Sequence, residues 1–160
     1  MMKKPKIGIM QGRLSEMYEN KIQTFPSQSW KEEFKIASNC GFEIIEWIFD
    51  EIQSNPILTD EGIVEIKQLM KKNNISINAI CADYFMTKKL FNESKSELEK
   101  NIETMKKIIR QANKLEIVMI EIPFVDSSSL KNDENRKEII NNFKKILPIA
   151  EENNITLVLE

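Results

Sequence analysis

The sequence predicts an α/β fold in which about five parallel strands alternate with helices, within a single domain over residues 1–160. Three features carry this expectation. Five apolar runs begin 33 to 41 residues apart, amphipathic helical stripes lie between them, and a glycine or asparagine stop precedes every run after the first. Runs that are apolar on both faces suit parallel strands covered on each side, and parallel pairing needs a long crossover.

The first strand is expected in "KIGIMQG", from Lys6. Trp30, Phe34 and Ala37 then recur at helical spacing, and the segment stops at Cys40-Gly41. "FEIIEWIF", from Phe42, is the second strand; Ile63, Ile66 and Met70 mark the second helix, closed by Asn73-Asn74. "ISINAIC", from Ile75, is the third strand. The third helix has the clearest stripe, Leu98, Ile102, Met105, Ile109 and Ala112, and stops at Asn113-Lys114. "EIVMIEI", from Glu116, is the fourth strand, followed by a helix on Ile139, Phe143, Ile146 and Ala150. Pro148 removes one backbone hydrogen bond in that helix, so a kink is expected. Asn153-Asn154 leads into "ITLVL" from Ile155. Glycine and asparagine tolerate the left-handed conformation that closes a helix, which is why these stops mark the turns into strands.

Composition narrows the function. Apolar residues at 41% and charged residues at 30% are ordinary for a soluble globular protein. The net charge of -2, with acids and bases interspersed, gives no basic stripe, so no nucleic-acid partner is expected. Lys3 and Lys4 precede an apolar stretch that covers only residues 7–10, too short for a signal peptide or a bilayer span. A cytoplasmic protein without a membrane partner is the reading. Cys40 and Cys81 stand alone and form no CxxC, which suits free thiols in a reducing compartment. Histidine is absent, which excludes Ser-His-Asp or Cys-His catalysis within the chain and any zinc site that needs imidazole.

Five strands with intervening helices leave two architectures open, a doubly wound sheet or a section of a (β/α)8 barrel. The first strand is followed by "IMQGRLS", without GxGxxG or GxxxxGK[ST], so the nucleotide-binding fingerprints are missing. In both architectures functional residues gather beyond the carboxyl ends of the strands. There the sequence offers Gln11 and Arg13, then Glu46, Trp47 and Asp50, then Cys81, Asp83 and Tyr84, then Glu121, and finally Glu160. Any single acid reads first as half of an ion pair or as a helix cap. Many carboxylates with one arginine at one end suit a hard divalent cation and an oxygen-rich ligand.

In order and spacing, "KIGIMQGRL", "GFEIIEWIFD", "ISINAICADYFM" and "ILPIAEENNITLVLE" resemble the xylose isomerase-like TIM barrels. Within them the likeness is to the sugar-phosphate isomerase/epimerase branch, which includes L-ribulose-phosphate and tagatose-type epimerases. The resemblance runs over the whole chain and covers the first five of that family's eight strands. It implies a partial (β/α)8 barrel and a divalent-metal-dependent isomerase or epimerase that acts on a sugar or sugar phosphate through an enediolate. In the family, the glutamate ending strand five binds the catalytic metal (Mn, Mg, Co or Zn) and is one of two carboxylates that move the substrate proton. Glu160 falls on that position. The other ligands, an aspartate, a histidine and a second glutamate, come from later strands, so this chain is expected to be truncated, inactive alone and unable to hold the metal. Gln11, Arg13, Glu46, Trp47, Asp83 and Glu121 are the candidate substrate-binding residues.

The alternative is a non-catalytic half-barrel or interaction module. The same superfamily contains zinc-dependent apurinic endonucleases, which need several histidines and a basic surface that this chain lacks.

The strands should therefore be parallel in the order 1-2-3-4-5, with helices on the outer side only, and Glu46, Glu121 and Glu160 should share one end with Gln11, Arg13 and Asp83. The first and fifth strands would be open edges, which template association. The purified chain should form a homo-oligomer, aggregate or be poorly stable, and show no epimerase activity with added manganese. Sedimentation and a ketose-epimerase assay check both; a stable monomer that turns over sugar would place the active site elsewhere.

Overall fold

The computed structural model describes residues 5–17 and 23–160; Lys3 and Lys4 lie outside the described residues. Five strands, β1 (Gly8–Met10), β2 (Ile44–Ile48), β3 (Ser76–Cys81), β4 (Met119–Ile122) and β5 (Thr156–Leu159), form one sheet. Their order is β1-β2-β3-β4-β5 and every pairing is parallel. A doubly wound sheet would reverse its strand order part-way; this one does not, and it matches a section of a barrel. The crossovers carry α1 (Trp30–Asn39), α2 (Asp60–Asn73), α4 (Lys95–Lys114) and α5 (Asp133–Glu152). A one-turn helix, α3 (Tyr84–Thr87), is too short to show as an apolar stripe.

Side chains alternate across a strand, so the register sorts them into two faces. Trp47 pairs with Ile80, Ile80 with Ile120, and Ile120 with Leu157. This face meets the helices, whose stripe residues Phe34, Ile66, Met105 and Ile146 are all fully buried. Met70, Leu98 and Phe143 pack at the margin of the same core. The opposite face holds Met10 and Glu46, a register pair, and leaves Met119 and Thr156 exposed.

The helix stops follow the sequence at three junctions. Gly41, Asn74 and Asn154 take φ of 83°, 55° and 55°. At the fourth, the left-handed residue is Glu116, with φ 60°, instead of Asn113 or Lys114. Asn113 is occupied elsewhere, donating its side-chain N–H to the Asn153 carbonyl at 2.8 Å. The turn closes later, at Glu116, and β4 begins at Met119 and not at Glu116. Pro148 lies inside α5, which continues past it to Glu152. At the start of α4, Ser94 Oγ accepts from Glu97 N–H at 3.3 Å, an N-cap, and donates to Glu97 Oε2 at 2.8 Å.

The entry to α2 is tight. Thr59 N–H donates to the Pro56 carbonyl at 3.1 Å, and Thr59 Oγ1 accepts from Gly62 N–H at 3.0 Å. A Cβ on Gly62 would lie 2.0 Å from the Pro56 carbonyl oxygen, with both partners held by these bonds. Gly62→Ala should destabilise the chain by about 1–3 kcal/mol, read as a lower urea midpoint at unchanged slope. Alanine at the exposed Val64 should leave the midpoint nearly unchanged.

Candidate active site at the carboxyl ends of the strands

The second face gathers the acids. Ile48 pairs with Cys81, Cys81 with Glu121, and Glu121 with Val158, so all four share one side of the sheet. Glu46 lies two residues before Ile48, and Glu160 two after Val158, which puts them on that side too. The ladder continues through the last position: Glu160 N–H donates to the Ile122 carbonyl at 3.2 Å, and Phe124 N–H donates to the Glu160 carbonyl at 3.1 Å.

Burial and mutual repulsion act together on these groups. Burial pushes the Glu46 carboxyl up from its ordinary value, and the charges of Asp83 and Glu160 push it further. Glu121 is raised by burial first, then by Glu46 and Glu160. Asp83 is also raised, burial outweighing the bonds it receives from Cys81 and Gln23. The Cys81 thiol is buried, donates to Asp83 Oδ1 at 3.3 Å and accepts from Gln23 Nε2 at 3.5 Å. Burial raises it far above a free thiol, with Asp83, Glu121 and Glu46 adding to the effect. It is therefore a neutral S–H, not a nucleophile.

The remaining candidates divide. Gln11 is buried; its backbone N–H donates to the Glu46 carbonyl at 2.9 Å, and its Oε1 accepts from Ile48 N–H at 3.1 Å. The side chain thus prolongs the β1 ladder onto β2, and Gln11 Nε2 has no partner among the described residues. Arg13 is exposed, with Nη2 4.0 Å from Met10 Sδ. Asp50 Oδ2 accepts from Phe25 N–H at 3.2 Å, and burial raises its carboxyl. Tyr84 packs at a tilt against Phe49, ring centroids 5.2 Å apart.

Trp47 does not face the acids. It is fully buried on the helical side, 5.4 Å from the Phe25 ring and 5.7 Å from that of Trp30, and its Nε1 donates to Asn55 Oδ1 at 3.1 Å. Its neighbour Glu46 points the other way, as alternation requires, so Trp47 is a core residue and not a substrate contact. Gln23 and Glu33 were not anticipated. Glu33 left a trace in the sequence: it interrupts the buried stripe of Trp30, Phe34 and Ala37, where an acid is expected only if it is bonded.

Among the described residues no group of three or more His, Cys, Asp and Glu side chains is placed to hold a metal ion. A cavity of about 520 Å³ lies at the opposite, amino ends of the strands, lined by residues that include Lys6, Glu43, Lys67, Lys71 and Lys114. Among the described residues no helix is long and apolar enough to cross a membrane.

The family model described as xylose isomerase-like TIM barrel matches residues 34–160. This chain belongs to that family. The family's fold recurs in solved structures at low sequence identity. A D-psicose 3-epimerase with D-tagatose from Clostridium cellulolyticum H10 is 15% identical with a TM-score of 0.71, over 97% of this chain and 52% of that one. The 3-keto-D-glucoside 4-epimerase of E. coli is 16% identical with a TM-score of 0.67, over 98% and 56%. A xylose isomerase-like TIM barrel protein from Mycobacterium smegmatis in complex with magnesium is 17% identical with a TM-score of 0.62, over 84% and 47%. The chain thus spans about half the length of these structures. No curated protein matches the sequence.

The crowded acids of this barrel section give its stability a definite pH dependence. Glu46, Asp83 and Glu121 hold protons more tightly folded than unfolded. As pH rises from the ordinary carboxylate value toward the raised ones, the folded chain binds more protons than the unfolded chain, so stability falls. Above the raised values these groups add no further loss. Urea midpoints should decline as pH rises above about 4, the ordinary carboxylate value, and the Glu46→Gln/Glu121→Gln double variant should flatten that decline. An identical slope in the variant would show that the acids do not share one environment.

Proposed function

We propose that the acidic face takes a sugar or sugar phosphate, and that the chain carries part of the site of an isomerase or epimerase moving a proton beside a ketose carbonyl. The observation that carries the reading is the register, which brings Glu46, Glu121 and Glu160 to one face of a xylose isomerase-like barrel. The names of its structural neighbours support it, since two are sugar epimerases and one of those was solved with D-tagatose.

In this reading Glu160, exposed at the tip of β5, is the base. Its carboxylate takes the proton from the carbon next to the carbonyl. The C–H electron pair becomes the new carbon–carbon double bond, and the carbonyl oxygen takes the negative charge, giving an enediolate. Glu46 and Glu121, whose burial favours the neutral acid, are the proton donors toward that oxygen and the neighbouring hydroxyls. Returning the proton from the opposite face epimerises, and returning it to the adjacent carbon isomerises. Asp83 and Gln11 orient hydroxyls, and Arg13 meets a phosphate or hydroxyl at the rim.

A divalent cation (Mn, Mg, Co or Zn), when bound, supplies Lewis-acid stabilisation of the developing oxyanion. The described residues do not make a complete cation site: Glu160 is one candidate ligand, and the rest would have to come from beyond those residues. No step above is therefore routed through a metal.

Titrating D-fructose into the ¹⁵N-labelled chain should shift the backbone amides of Asp83, Glu121 and Glu160. Glu121→Ala should weaken binding about tenfold, or ~1.4 kcal/mol. Shifts confined to the amino ends of the strands, around Glu43, Ser76 and Glu116, would sink the reading.

A further inference from the structure

The turn after β1 carries Gln11 and Arg13, and a side chain outside the acidic face holds it in place. Glu33, in the first turn of α1, is fully buried. Its carboxylate accepts from three donors in residues 12–15. Gly12 N–H reaches Oε2 at 2.9 Å and Oε1 at 3.1 Å, the Ser15 hydroxyl donates to Oε1 at 2.8 Å, and Leu14 N–H donates to Oε1 at 3.3 Å. A carboxylate is tolerated in a protein interior only when donors surround it, and here one short segment supplies them.

The same segment has little freedom of its own. Gly12 has φ 79°, and a Cβ there would come within 3.0 Å of the Thr24 carbonyl oxygen. The backbone passes where only glycine fits. Gln11, just before it, is pinned to β2 through Ile48 N–H. Arg13, within the turn, lies against Met10, and Met10 is the register partner of Glu46.

We propose that Glu33 is a positioning residue: its buried carboxylate locks the turn of residues 12–15 in the shape that brings Arg13 to the rim of the acidic face. The backbone that carries Arg13 is then already ordered when the oxygen-rich end of a ligand arrives, which lowers the ordering cost of binding. The choice of ligand rests on the sugar reading above; the latch does not. Oε1 accepts from all three donors and Oε2 from Gly12 alone, at the shorter distance. An amide that keeps its oxygen at the Oε1 position would turn its N–H₂ toward Gly12 N–H, donor against donor.

The test compares the 160-residue chain with its Glu33→Gln and Ser15→Ala variants by amide hydrogen exchange and by ¹⁵N relaxation of Arg13 Nε. Glu33→Gln should speed exchange at Gly12 and Leu14 about tenfold or more and release Arg13 Nε to free side-chain mobility, while β3 and β4 keep their protection. Ser15→Ala, which removes one donor, should produce a smaller change at the same amides. Unchanged exchange at Gly12 and Leu14 overturns the proposal. So does loss of protection throughout the sheet, which would make Glu33 a support of the whole fold.

With D-fructose 6-phosphate as the probe, Arg13→Ala and Glu33→Gln should each weaken binding about tenfold, and the double variant should lose no more than Arg13→Ala alone. Additive losses overturn the route through Arg13. If the wild-type chain binds neither D-fructose nor its phosphate, the sugar reading fails, and the exchange and relaxation measurements alone decide whether the latch exists.

Discussion

Parallel pairing, with one register shift between β2 and β3 at Ile45/Trp47, is the constraint on which the rest of this structure depends. Once Met10 stands beside Glu46, and Cys81 between Ile48 and Glu121, each strand has one way to point its side chains. The apolar set of Ile45, Trp47, Ile80 and Ile120 goes under the helices and is fully buried. The acids are left with the other face. Nothing among them attracts; the backbone ladder assembles them, and burial on the helical side offsets the repulsion that results.

Two kinds of carboxylate, one fully buried and one partly buried, follow from this arrangement. Glu33 has its charge met by donors from one turn, so both of its oxygens are committed and it is chemically quiet. Glu46 and Glu121 are surrounded by other acids and hold their protons more tightly. Glu33 sets the geometry of its turn, the reactivity proposed above belongs to Glu46 and Glu121, and the fold keeps them in different layers.

Much of this was legible in the sequence. The strand and helix order follows from apolar runs and stripes, and three of the four helix stops fall where glycine or asparagine announces them. The acids of β2, β4 and the tip of β5 were found because parallel strands send their carboxyl ends one way. Trp47 was misread for a local reason. It adjoins Glu46, and adjacent strand residues cannot face the same side, so strict alternation would have assigned it to the core. The start of β4 was placed too early because the left-handed turn falls on Glu116, a residue type that does not announce one. Glu33 escaped notice because two of its three donors are backbone N–H groups, which are invisible in a string of side chains. The role proposed for Glu160 comes from the family resemblance; the residues by themselves supplied only its position.

The two cysteines show how far the two ends of the sheet differ in reactivity. Cys40 is exposed where α1 ends, at the amino ends of the strands, whereas Cys81 is buried among carboxylates that suppress its thiolate. A maleimide or a spin label added at neutral pH will therefore discriminate between them without mutagenesis. The native chain carries a built-in attachment point far from its acidic face, suited to tethering on a surface or to a fluorescent reporter.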